Sequence, residues 1–232
     1  MKKTILILLV FVTFFSNKIF AQDSGYIKFE ITDFKADNPD DPQMKMVENM
    51  IKATTTKLYF EKERALTKIN SMGGMSTVKI IMDKDSNGEM YMEMMGQKIL
   101  VKMPKDEIEK MKKENDEKDA EYIHHKDQTK EILGYKTHLV EIKTPDQKSA
   151  VMTLWVTEDI KTNGMVSQGM DNSKIGGFPL EYTVSVPGQF SMTTKATEFK
   201  KDFDKSVFDF DKTGYKEMSM DDLQNMGGGA GF

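Results

Sequence analysis

The chain has 232 residues, with 33 Lys and Arg against 37 Asp and Glu, three His and no Cys, for a formal net charge of −4. The missing cysteines exclude disulfides, thiolate metal sites and a cysteine nucleophile. The acidic balance gives no electrostatic reason to seek DNA, RNA or an anionic membrane surface, and the length fits one domain with a sizeable core.

Residues 1–21 read as a cleavable signal peptide. Lys2 and Lys3 precede an apolar run from Ile5 to Phe15 broken only by Thr13, and Ser16-Asn17-Lys18 restores polarity before Ala21 at the cut. The run falls well short of the roughly 20 residues that cross a bilayer, and no other stretch is long and apolar enough. Export to the periplasm or beyond is expected, with no transmembrane segment after cleavage and no cysteine to carry a lipid anchor. The expected organisation is a single β-rich domain over 22–220, then a glycine-rich disordered tail over 221–232.

Ile27, Phe29 and Ile31 alternate with polar residues, the period of a half-buried strand. Asp40-Asp41-Pro42 predicts a helix start, and Met46, Val47, Met50 and Ile51 follow at helical spacing. Leu58–Phe60 and Ala65–Ile69 predict two strands around a charged turn. A meander follows: Val78, Ile80 and Met82; Met90, Met92 and Met94 after the Asn87-Gly88 turn; then Ile99, Val101 and Met103. The charge-rich stretch from Asp106 to Lys118 predicts either a solvated helix on the surface or a mobile excursion. Further strands are expected over Tyr122–Ile132, Lys136–Lys143 and Ala150–Thr157. A loop over Lys161–Gly177 comes next, then strands over Leu180–Val186 and Phe190–Phe199, with Val207, Phe208 and Phe210 closing the core. The fold class is β-rich α+β: a large antiparallel sheet curved onto two or three helices.

No residue pattern marks an enzyme, a cofactor or a metal centre. Asp83 to Gly88 looks like half of a calcium loop, but the position for the bidentate carboxylate is Met94, and the segment reads as a hairpin. Adjacent His124 and His125 point to opposite faces of a strand and cannot easily share a metal. Methionine is abundant, at 20 residues. Met90, Met92 and Met94 on one strand face suit core packing, an adaptable apolar ligand surface, or soft thioether ligation of Cu(I). Trp155 suits a core anchor or a ligand-lining aromatic.

Ile132-Leu133-Gly134-Tyr135-Lys136, Leu154 through Ile160, and Gly177-Phe178-Pro179-Leu180-Glu181 together resemble the exported bacterial proteins grouped as domain of unknown function 4412, common in Bacteroidetes. These are similar in outline to LolA-like lipoprotein carriers. Many have a cysteine where this chain has Thr137, so no thiol role carries over. The resemblance implies an unclosed half-barrel with helices packed on its concave side, whose apolar surface receives lipid or acyl chains. Met90, Met92, Met94, Trp155 and Tyr182 are the candidate lining. The expected function is an exported binding or carrier protein for an apolar ligand. The alternatives are a non-catalytic interaction protein of the cell envelope with a filled core, whose partner is another envelope protein, and a methionine-based Cu(I) binder.

Overall fold

The computed structural model describes residues 23–115, 120–143, 150–162 and 172–227. The expected signal peptide and the last five residues lie outside the described residues. In chain order the elements are β1 (Gly25–Ala36), α1 (Pro42–Lys52), β2 (Thr55–Glu61), β3 (Arg64–Ser71), β4 (Ser76–Asp83), β5 (Gly88–Met94), β6 (Gln97–Met103) and α2 (Lys105–Asn115). Then come β7 (Glu121–Ile132), β8 (Tyr135–Lys143), β9 (Val151–Thr157), α3 (Asn172–Ile175), β10 (Phe178–Val186), β11 (Phe190–Lys200), β12 (Lys216–Met218) and α4 (Met220–Gly227).

All twelve strands join one sheet, in the order β12-β6-β5-β4-β3-β2-β1-β11-β10-β9-β8-β7. Every described pairing is antiparallel except β12 with β6, so the expected antiparallel sheet is in fact mixed. Its edges, β12 and β7, do not pair with each other, and the sheet is unclosed. The fold is therefore β-rich α+β, with three α-helices of eight residues or more among the described residues and a four-residue α-helical turn, α3. The tail expected from residue 221 begins as α4, whose first turn is closed by Ser219 Oγ accepting from the Asp222 backbone N–H at 3.1 Å.

Local chemistry explains the meander. Two hairpin loops hold two residues each with positive φ, Met95 and Gly96 (51° and 80°) and Leu133 and Gly134 (53° and 83°). Positive φ at both central positions is the turn whose twist matches its flanking strands. The β4–β5 hairpin is closed by the Asp83 carboxylate, whose Oδ1 accepts the backbone N–H groups of Asp85 at 2.9 Å and Asn87 at 2.8 Å.

Residues opposite one another across a ladder share a face of the sheet. One face carries Ile99, Met92, Val78, Ile69, Thr56, Phe29 and Ala196 in succession across seven strands. Two residues along β11, Thr194 continues that face to Tyr182, Leu154, Val140 and His124. The sheet bends toward this apolar side. Phe29 on β1 and Phe178 on β10, two strands away, have ring centroids 6.3 Å apart, and Tyr135 on β8 meets Phe199 on β11 at 5.1 Å. A flat sheet would hold β8 and β11 about 14 Å apart. Ile108 of α2 and Met220 and Leu223 of α4 pack against Ile99, Val101 and Met103 on this inner face, and Ile175 of α3 packs with Val140 and Leu154.

The outer face is polar, and residues 201–215 cross it as an arm. Phe203 meets Tyr59 at 5.5 Å, the Arg64 guanidinium lies 4.0 Å over the Phe208 ring, and Phe210 and Tyr215 each stand edge-on to Tyr91 at 5.0 Å. Lys205 pairs with Glu61 at 3.0 Å, and Lys212 with Glu89 at 3.1 Å. Phe208 and Phe210, expected to close the main core, pack on its back instead. Past β12 the chain rounds the β6 edge and lays α4 on the inner side.

Candidate functional site

Burial on the inner face falls off along the strands. At one end Ile27, Phe60, Ala65, Ile132, Tyr135, Ile160 and Phe178 form a fully buried cluster. Toward the other end the same face still presents apolar side chains, Ile69, Val78, Met92, Met94, Val184, Val186 and Met192, that are only half-buried, although Ile99 opposite Met92 and Phe34 opposite Met192 are buried. The connections at that open end carry apolar residues in solvent: Met46 on α1 (64% exposed), Met75 in the β3–β4 connection (64%), Met95 in the β5–β6 turn (78%) and Val151 at the start of β9 (41%). Helix α1 stands beside this opening, in contact with β1 and with the 3-10 turn Met72–Gly74, and Val47, Met50 and Ile51 on it are half-buried. The site can do one thing chemically: withdraw an apolar chain or side chain from water.

The five candidate lining residues are not brought together. Met90, Met92 and Met94 lie side by side on the inner face of β5, and Met90 and Met92 pack on the Ile99–Val101–Met103 cluster. Tyr182 is on the same face but six strands away, packed with Leu154 and Val140. Burial pushes its hydroxyl pKa above the ordinary tyrosine value. Trp155 stands opposite Glu181 and Leu139, on the outer face, with the Lys130 ammonium 4.2 Å over its ring. It borders an ion-pair group in which Glu181 holds Lys130 at 2.6 Å and Lys195 at 3.4 Å, and its ring packs against the buried closed-end cluster rather than beside the methionines. The half-buried Val184, Val186 and Met192 were legible as strand residues but carried no sign of incomplete cover. Met75 and Met95 were marked only by their glycine neighbours in Gly74-Met75 and Met95-Gly96, and Met46, expected on the apolar face of α1, is exposed instead.

A cavity of about 270 Å³ lies at the closed end by the sheet edge, and it is polar: Lys126, Thr129, Lys136, Thr137, His138, Glu158 and Asp159 line it. It exists because β7 carries three extra residues between His125 and Thr129, which break its ladder with β8. His138 Nε2 is buried there with no hydrogen-bond partner. Burial, and next the neighbouring His124, hold its pKa below the usual histidine value. His124 and His125 do face opposite ways: His124 Nε2 contacts the Lys174 carbonyl at 3.0 Å on the inner side, while His125 approaches Glu141 on the outer at 3.4 Å. Among the described residues no three His, Asp or Glu side chains converge as metal ligands, and no described helix is long and apolar enough to cross a membrane.

No protein-family model matches the chain, and no curated protein matches it. Among solved structures the chain is similar to MucB, at 9% identity and a TM-score of 0.35 over 84% of this chain and 58% of that one. It is also similar to the Mycobacterium tuberculosis lipoprotein LppX (9%, 0.31, 79% of this chain and 89% of that one). A third is a LolA superfamily protein from Nitrosomonas europaea (14%, 0.31, 82% and 91%). The chain spans less than two thirds of the MucB chain. At such identities and scores these proteins are what the chain resembles, and its function rests on its own residues.

Proposed function

We propose that this is an exported, non-catalytic binding protein that holds an apolar ligand, a lipid or acyl chain, on the inner face of its bent sheet. One observation carries the reading: the inner face stays mainly apolar from β6 to β8 while, among the described residues, its cover thins toward one end, where Val78, Met92, Val184 and Met192 are half-buried. A face meant only as core would be sealed there, because each half-buried apolar side chain forgoes transfer free energy of about 25 cal/mol per Å² left wet. Methionine suits the role, since its flexible thioether adapts to irregular apolar shapes. The signal-peptide pattern supports a site of action outside the cytoplasm.

The test is native mass spectrometry of the protein purified from its own envelope, together with titration of an alkyl-chain fluorophore into the delipidated protein. A co-purifying apolar molecule and saturable displacement by a long-chain fatty acid are expected. A ligand-free protein that leaves the fluorophore in water refutes the reading. The second reading, an envelope interaction protein with a filled core, is favoured by the seating of Met220 and Leu223 on the methionine cluster, and it predicts that refuting result.

A further inference from the structure

The outer face carries a feature the apolar site does not use. Lys28, Lys57, Lys68 and Lys79 stand directly opposite one another on β1, β2, β3 and β4, a ladder of four like charges in a chain whose net charge is negative. Like charges at directly opposed positions destabilise a sheet. The outer two are compensated: Lys28 pairs with Glu30 at 2.6 Å, and Lys79 with Glu93 at 3.2 Å. Lys57 and Lys68, in the middle and half-buried, make no ion pair among the described residues.

The neighbouring row completes a set of donors. Two residues along each strand, on the same face, Thr55 stands opposite Asn70, and Asn70 opposite Thr77. The Thr77 hydroxyl donates to Asn70 Oδ1 at 3.1 Å. That bond occupies the amide's acceptor side and leaves its NH₂ group as the free end. Two ammonium groups, an amide NH₂ and the Thr55 hydroxyl thus border one patch of β2 and β3. The carboxylates flanking this patch, Glu30 and Glu93, are already paired with the outer lysines.

We infer that Lys57, Lys68, Asn70 and Thr55 form a binding site for a single tetrahedral oxyanion, a phosphate or phosphate monoester. The two ammonium groups neutralise a dianion, and the neutral donors take its remaining oxygens. The ligand relieves a repulsion that the fold otherwise carries, so anion binding and stability are linked. Two sources share this chemistry, a soluble phosphate and the headgroup of an anionic phospholipid. The site lies on the face opposite the apolar one and does not depend on it.

The experiment uses the full secreted chain and a K57Q/K68Q variant, with Lys62→Gln as a control on an exposed lysine outside the patch. Melting temperature is recorded against inorganic phosphate at constant ionic strength, and co-sedimentation is measured with phosphatidylcholine vesicles with and without phosphatidic acid. Phosphate is expected to raise the melting temperature of the native chain saturably. The double variant should melt higher than the native chain without phosphate, and should lose at least tenfold in apparent phosphate affinity. Sedimentation with phosphatidic acid that is lost in the double variant assigns the site to a headgroup, whereas a phosphate response without sedimentation assigns it to a soluble ligand. The inference is overturned if the native chain shows no saturable response to either probe, or if K57Q/K68Q responds as the native chain does.

Discussion

Met92→Asp separates ligand binding from folding. Met92 lies opposite Ile99 and Val78 on the inner face and is flanked on its own strand by Met90 and Met94, so no cation is in register to pair with a carboxylate there. In the free protein the site is half-buried, and an aspartate keeps much of its water. The cost to the fold is then about half that of emptying a buried methionine, near 2 kcal/mol, within the 5–15 kcal/mol a domain of this size holds in reserve. An alkyl chain laid over the same position strips the carboxylate of that water with nothing to replace it. The penalty is at least about 3 kcal/mol, or roughly a hundredfold in Kd. Titration of an alkyl-chain fluorophore measures the loss, and circular dichroism confirms the fold. Met92→Leu, which conserves volume, should bind within about threefold of the native chain. The triple replacement of Met90, Met92 and Met94 by Leu should do likewise while abolishing any Cu(I) uptake. If folded Met92→Asp binds the fluorophore as tightly as the native chain, the open end of the inner face is not where the ligand lies.

Acid should release the C-terminal arm before it unfolds the sheet. Hydrogen bonds from Arg64, Tyr91 and Tyr215 hold the carboxyls of Glu61, Glu89 and Glu93, respectively, below the usual glutamate pKa, and Lys205 and Lys212 on the arm add to the first two. A carboxyl depressed in the folded state contributes stability that is complete above its unfolded pKa, about 4.3, and is lost as the pH falls through the folded values. Hydrogen exchange over residues 201–218 should therefore accelerate below pH 4.3 while that of β1 and β11 holds; equal protection of the arm on both sides of that window contradicts the assignment. Gly177→Ala should cost about 3 kcal/mol, because a Cβ there would stand 2.4 Å from the Thr157 carbonyl oxygen and 2.9 Å from Val156 Cγ1. A fall of roughly 10 °C in melting temperature is expected, and a loss of under 2 °C would show that β9 and β10 can part at no cost.

Period-two alternation was enough to read most of the strands and their apolar side, since the inner-face residues of β2 to β6 obey it throughout. Which side a residue takes depends on register across the sheet, and bulges alter register where alternation gives no warning. Trp155 is flanked by Leu154 and Val156, both fully buried on the inner face, and so stands on the other. Phe208 and Phe210 read as core because aromatic residues near a chain end usually are. Only the path of the arm, set by Tyr59, Arg64 and Tyr91, puts them on the back of the sheet. The lysine ladder was the least legible feature: Lys28, Lys57, Lys68 and Lys79 are eleven or more residues apart in sequence and meet only through pairing.

The two faces divide the work of the molecule because they are stabilised differently. The back needs no further cover: its arm is held by edge-on and tilted ring contacts and by ion pairs that tolerate water, so that side can stay polar and keep charges in reserve. The inner face depends on exclusion of water, and among the described residues its apolar cover is most complete at the end where Ile160, Phe178 and Tyr135 pack with Ile27 and Phe60. At the other end the strands keep the same apolar pattern, but the described connections there, those of α1, β3–β4 and β5–β6, offer isolated methionines. An apolar chain entering between α1 and those turns would bury what the fold leaves wet, and would stop where the packed cluster begins. In the proposed function, the depth of that boundary, from Met94 to Met90 on β5 and from Val186 to Tyr182 on β10, would set the length of chain the face can hold: about two residue pairs of strand, or some 14 Å.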